Sequence, residues 1–131
     1  APASLEEFKI RLQMFMEEMM HWMLSNPECC QMIRREADLG LPIAEEVFAS
    51  TFLQVFAALK KFIISAQEKG FVRKELDPQI CASVLHLTLV EMTRHDHVSV
   101  KFFGVTLRDE KYQKKVREQF MSIYMNGLES V

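Results

Sequence analysis

Residues that interrupt secondary structure are scarce in this sequence. It has only four glycines and four prolines in 131 residues. Because these two residues dominate turns, their scarcity predicts few, long elements and therefore an all-α chain. The length predicts a single domain, 1–131, which can bury roughly two-thirds of the surface that its unfolded chain exposes.

Cysteine, basic charge and long apolar runs are also limited. Three cysteines, of which Cys29 and Cys30 are adjacent, make a poor disulfide framework and favour reduced thiols. A net charge of −2 argues against a nucleic-acid-binding surface. No apolar run approaches the roughly twenty residues that a membrane span needs, and no leader pattern is present. We therefore expect a cytoplasmic protein with no membrane partner. The sequence lacks an initiator methionine, so we expect the natural protein to begin further upstream.

Two long helices, 43–69 and 78–96, form the centre of the predicted arrangement. Most of the first is apolar, and Gly70 follows it as a left-handed cap residue. Asp77 and Pro78 then supply an N-cap and a first-turn proline for the second. We expect the other elements to pack around this pair.

Three further helices complete a predicted five-helix bundle. Ser4 and Glu7 match a capping box before the first helix, and Asn26 is expected to cap the second. Gly127 is expected to cap the last helix. Residues 97–108 alternate like a strand, but a lone strand has nothing to pair with, so they are predicted to form a loop. The predicted helices span 4–25, 27–37, 43–69, 78–96 and 109–127.

The helix that follows Pro78 carries apolar residues on two faces. Ala82, Leu85, Leu89 and Met92 form one stripe, and Val84, Leu87, Thr88 and Glu91 form another. A helix on the outside of a domain needs only one apolar face, so the second face predicts a second copy as partner. The alternative is that both faces are covered within one chain. Glu91 is expected to pair with His95, one turn further on.

A cluster of methionines on the first helix suits a surface that fits varied apolar partners. Beside Phe52 and Phe56 of the central helix, these side chains would either line an apolar cavity or fill the core. His86, between Leu85 and Leu87, would either fix the polar group of a ligand or hydrogen-bond within the fold. We expect any ligand site to be mostly apolar with few polar contacts.

The order and spacing of several segments resemble the C-terminal domain of the tetracycline-repressor (TetR) family of bacterial transcription factors. The resemblance covers nearly the whole chain. It is carried by Asn26-Pro27-Glu28, Arg34-Arg35-Glu36, Ala66, Gly70-Phe71-Val72-Arg73, Leu76-Asp77-Pro78, Ala82, Leu85, Leu107, Asp109 and Gly127-Leu128. The helix-turn-helix domain that begins such proteins is absent from this sequence.

This resemblance implies a homodimeric ligand-binding domain, most often of a repressor, that binds DNA only through the missing N-terminal domain. It places a small apolar or amphipathic effector in a cavity among the helices, and it places dimerisation on the last two long helices. The candidate pocket residues are Met16, Met19, Met23, Phe52, Phe56, Leu85, His86, Leu89 and Met92. The candidate interface residues are Val84, Leu87, Thr88, Glu91, Phe120, Ile123 and Tyr124.

Catalytic and metal-binding patterns are weak. No serine, histidine and acid set stands at motif spacing, and no glycine-rich phosphate loop occurs, so neither an enzyme nor a cofactor is expected. A helical metal-binding protein or enzyme that uses Glu91, His95, His97 and His21 is the alternative. His95 and His97 are two residues apart, which does not place them on one helical face.

Overall fold

The chain folds as an all-α domain. A computed structural model describes residues 1–129, except for the side chains of residues 44, 48, 49 and 51. The helices are α1 (Leu5–Ser25), α2 (Pro27–Asp38), α3 (Pro42–Glu68), α4 (Pro78–Arg94), α5 (Asp96–Phe103) and α6 (Glu110–Leu128). Of these described helices, none is both long enough and apolar enough to cross a bilayer.

The first helix, α1, lies at the centre of the core. It packs against α2, α4 and α6, and its side chains also reach α3, where the Phe8 and Phe62 rings stack with centroids 5.0 Å apart. Its buried residues recur mostly at four-residue spacing, so they form one continuous stripe. That stripe consists of Phe8, Leu12, Met16, Met20, Met23 and Leu24.

The helices α3 and α4, which were predicted to form the centre of the fold, do so only in part. Within α3, the described side chains before Leu59 are exposed or half-buried, whereas Leu59, Ile63 and Ala66 are buried. Among the described side chains of α3, those that are buried in the core lie in its second half, where the helix packs with α1 and α4. The apolar composition of α3 did not show which part of the helix is covered by other helices.

Two of the predicted caps are present. The side chain of Asp77 accepts from the Gln79 amide at 2.8 Å, and Gly70 has a left-handed backbone with φ of 81°. Only half of the capping box forms. Ser4 accepts from the Glu7 amide, but the Glu7 carboxylate accepts from the amide of Ala3 rather than that of Ser4.

Two other caps were predicted wrongly. The Asn26 side chain makes no N-cap bond to α2, because its amide instead donates to the Trp22 carbonyl in the last turn of α1 at 2.9 Å. Gly127 lies inside α6 rather than beyond its end. The Asn26 side chain therefore caps the C-terminal end of α1 and not the N-terminal end of α2.

The loop predicted at 97–108 is also wrong, because its first half is the helix α5. Gly104 ends this helix with a left-handed backbone, φ 67°. Asp96, at its start, is buried, and its carboxylate accepts from the Thr106 hydroxyl and the Leu107 amide, both at 2.7 Å. These two bonds hold the 104–109 turn against the start of α5, which local alternation of apolar residues could not reveal.

The turn between α3 and α4 is fastened to both α3 and α6. The Gln67 side chain donates to the carbonyls of Arg73 and Leu76 at 3.1 and 2.8 Å. The Arg73 guanidinium donates to the Gly127 carbonyl in the last turn of α6, with a shortest distance of 2.7 Å. These bonds join the turn both to the last part of α3 and to the end of α6.

Candidate functional site

An exposed apolar surface lies on α4 and α6. Val84 and Leu87 on α4 are 47% and 58% exposed, and Ile123 on α6 is 73% exposed. Ile80, also exposed, lies one turn before Val84. We call Ile80, Val84, Leu87 and Ile123 the α4–α6 surface. Ile80, Val84 and Leu87 are three or four residues apart, so they lie on one face of α4, and an exposed apolar face of this kind is typical of a contact site.

The two helices are joined beneath this surface. Tyr124 of α6 is buried, and its hydroxyl donates to the carbonyl of Cys81 in α4 at 2.5 Å. Burial raises the pKa of the Tyr124 phenol above its usual range, with the nearby Cys81 thiol adding to the effect. The half-buried ring of Phe120 stacks on Tyr124 at 5.5 Å. Tyr124 therefore lies under the surface where it was expected to lie on it.

The remaining predicted interface residues are polar. The Thr88 hydroxyl donates to the Val84 carbonyl at 2.6 Å, so its hydrogen-bonding need is met within α4. Glu91 is half-exposed and lies 3.2 Å from His95, 3.3 Å from Arg94 and 3.7 Å from Arg34. The predicted pairing of Glu91 with His95 is present. Glu91 therefore lies at the edge of the α4–α6 surface as part of a charged group.

The predicted pocket residues divide into two groups. Met16, Met23, Leu85 and Leu89 are buried in the packed core. Met19, Phe52, Phe56, His86 and Met92 are half-buried. The half-buried members are the ones that a ligand could reach without opening the core.

His86 is surrounded by aromatic rings. The rings of Phe52 and Phe56 lie edge-on to its imidazole at 6.1 and 6.2 Å, and Trp22 lies 5.8 Å from Phe52. Burial lowers the pKa of His86 below its ordinary value, so the neutral imidazole is favoured. Its Nε2 atom is buried and has no hydrogen-bond partner among the described residues. Such a nitrogen is suited to receive a polar group of a small molecule.

The predicted metal ligands do not converge. His95 faces Glu91, but the Nδ1 atom of His97 lies 3.0 Å from the Arg94 carbonyl, and His21 lies 3.7 Å from Glu110. Across residues 1–129, with the four side chains named above left aside, no group of three or more potential ligands could hold a metal ion.

A cleft that the sequence did not indicate opens between the end of α4, α5 and the start of α6. Its volume is about 340 Å³. Met92, Leu107 and Val116 give it apolar walls, while Glu91 and His95 lie at its α4 side. Of the predicted pocket residues only Met92 lines it. The buried Asp96 also lines this cleft, and no spacing signal in the sequence marks it.

No family model, curated protein or solved structure matches this chain.

Proposed function

We propose that this chain is the effector-binding and dimerisation domain of a TetR-like transcriptional regulator, most often a repressor. In this proposal, a small, largely apolar effector changes the DNA affinity of a homodimer. DNA would be bound by a helix-turn-helix encoded upstream of Ala1. The proposal joins the residue pattern of the sequence to one structural observation, the apolar α4–α6 surface.

The α4–α6 surface supports dimerisation because it is apolar, exposed and built on two joined helices. The hydrogen bond from the Tyr124 hydroxyl to the Cys81 carbonyl joins α6 to α4 beneath this surface, and Phe120, also on α6, stacks on the Tyr124 ring. A preformed pair of helices loses little conformational freedom when it meets a second pair. Two copies would bring four helices together, and Val84, Leu87 and Ile123 would leave water.

Substitution on this surface tests dimerisation. We expect Val84→Glu and Leu87→Glu each to convert a dimer to a monomer, because a buried unpaired carboxylate is strongly unfavourable. Light scattering after gel filtration measures the mass. Ile10→Glu is the matched control, since Ile10 is similarly exposed but lies on α1. An unchanged mass in both α4 variants would show that the interface lies elsewhere.

The surroundings of His86 support effector binding. A buried polar atom without a partner costs about 1–3 kcal/mol, which a ligand's hydrogen bond would recover. The nearby aromatic rings supply an apolar wall. An amphipathic molecule with one hydroxyl, carbonyl or amide group fits this combination.

Thermal unfolding in the presence of a set of such amphipathic molecules tests this part of the proposal. A true effector at a hundred times its Kd stabilises the domain by about 2.7 kcal/mol. We expect this gain in the wild type and a much smaller one in His86→Leu. Leucine fills the position with an apolar side chain but has no ring nitrogen to hydrogen-bond the ligand. Molecules that stabilise both proteins equally would count against a role for His86.

The reading frame upstream of Ala1 tests the DNA-binding part separately. We expect it to encode a helix-turn-helix. A frame without one would remove DNA binding from the proposal and leave the dimerisation and ligand tests unaffected.

A further inference from the structure

The end of α5 carries two adjacent exposed phenylalanines. Phe102 is 67% exposed, and Phe103, at 74%, is the most exposed large apolar side chain of the described residues. Gly104 ends the helix immediately afterwards, so the two rings project at a corner of the fold. Lys101 lies beside them, with its Nζ atom 5.4 Å from the Phe102 ring centroid. Adjacent aromatic side chains with this exposure mark a contact site.

The cleft between α4, α5 and α6 lies next to this Phe102–Phe103 pair. Ser99 lines the cleft, and Phe103 lies one turn beyond Ser99 on the same face of α5. The walls contributed by Met92, Leu107 and Val116 are apolar, and the volume of about 340 Å³ leaves room for an aromatic ring. The helix α5 thus carries the exposed Phe102–Phe103 pair and also forms one wall of the cleft.

We propose that in the homodimer the Phe102–Phe103 pair of each copy packs into the α4–α5–α6 cleft of the other copy. This inference rests on the proposed dimerisation. A twofold axis beside this end of the molecule would make the exchange reciprocal. In a twofold contact, if a side chain of the first copy enters the cleft of the second, the same side chain of the second copy enters the cleft of the first.

The area that a stable dimer needs favours a second copy as the occupant. A stable interface buries about 800 Å² per partner and involves some 20–30 residues on each side. The α4–α6 surface has four exposed large apolar side chains, which is few compared with the roughly 20–30 residues of a stable interface. A fully buried aromatic side chain contributes about 150–250 Å², and Phe102 and Phe103 still expose 67% and 74% of theirs. Extending the contact from α4 and α6 to the end of α5 therefore brings the buried area closer to what a stable dimer needs.

A tryptophan reporter tests the inference directly. The chain has one tryptophan, Trp22, so emission from Phe103→Trp in a Trp22→Phe background arises from position 103 alone. We expect acrylamide to quench this emission several-fold less in the dimer than in the same protein carrying Val84→Glu and Leu87→Glu. Equal quenching in the two proteins would overturn the inference.

The dissociation constant gives a second measurement. We expect Phe102→Ala combined with Phe103→Ala to raise the dimer Kd about tenfold or more. Ile10→Ala, on the exposed side of α1, is the control and should leave the Kd unchanged. An unchanged Kd in the double variant would overturn the inference.

The possible failures are distinguishable. A wild-type chain that is monomeric at all concentrations overturns both the proposed dimerisation and this inference. A wild-type dimer, combined with a reporter at position 103 that stays fully quenchable, overturns only this inference. If the reporter becomes protected only when vesicles of anionic phospholipid are added, the aromatic pair is a membrane contact and the inference is equally overturned.

Discussion

The molecule has a densely packed part and a loosely packed part. The packed part consists of α1, α4, α6 and the second half of α3, and it holds nearly all of the buried core. The loose part consists of α2 and the first half of α3, whose described side chains are exposed or half-buried. No residue of α2 is buried, and Met32, Leu39, Leu41 and Ile43 of this region are exposed.

The difference shows that an amphipathic pattern predicts which face of a helix is apolar but not how fully that face is covered. Both α1 and α2 have apolar stripes, but α1 has helices on several sides, whereas α2 packs mainly against α3. His86 lies where the two parts meet, because its neighbours Phe52 and Phe56 belong to α3. A ligand at His86 would therefore act on the less stable part, which opens at lower free-energy cost.

The largest expected contrast comes from removing one apolar side chain in each part. Phe8 is fully buried and stacks on Phe62, so Phe8→Ala should lower the free energy of unfolding by about 3–5 kcal/mol. Leu39→Ala, in the loose part, should change it by less than about 0.5 kcal/mol. Urea denaturation measures both. A loss at Leu39 comparable with that at Phe8 would remove the distinction between the two parts.

A smaller contrast is expected along α3 itself. Gln67 donates two hydrogen bonds to the α3–α4 turn, so Gln67→Leu should lower the free energy of unfolding by about 1–3 kcal/mol. Gln54→Leu, at an exposed position in the first half of the same helix, should change it by less than about 0.5 kcal/mol. Equal losses would show that the turn is not held by Gln67.

The smallest expected effect is a pH dependence that arises from His86. Because burial lowers the pKa of His86 in the folded state, the unfolded chain takes up this proton first as pH falls. The stability that His86 contributes is fully present above about pH 6.5, the usual pKa of an unfolded histidine, and declines as pH falls from there towards the folded-state pKa. Melting temperatures between pH 7.5 and 5 should therefore fall less in His86→Leu than in the wild type.

The wild type and His86→Leu share the other three histidines, so the difference between their two pH profiles is the informative quantity. His21, His95 and His97 are exposed and remain in both. Identical pH profiles would show that His86 accepts a proton in the fold without penalty.

Element positions were largely predictable because caps and apolar spacing are local. The predicted bounds of the long helices agree with the structure to within two residues, and Asp77 and Gly70 act as their spacing indicated. α5 was missed because its stability depends on Asp96, whose partners Thr106 and Leu107 lie ten and eleven residues away. No local pattern encodes those bonds.

The candidate site was predictable only in part. The exposed positions of Val84, Leu87 and Ile123 agree with the predicted outer faces of α4 and α6. Met16 and Leu89, by contrast, share a helical face with half-buried neighbours and yet lie in the core. Burial depth depends on how the helices cross, and the sequence pattern does not contain the crossing angle.

Sedimentation equilibrium of the unmodified chain over a range from about 1 to 50 μM is the most direct test of the proposed homodimer. We expect a mass of twice the 15.3 kDa of one chain at the upper end of this range, and the mass of a single chain in the Val84→Glu variant. A mass of 15.3 kDa for the unmodified chain across the whole range would contradict it.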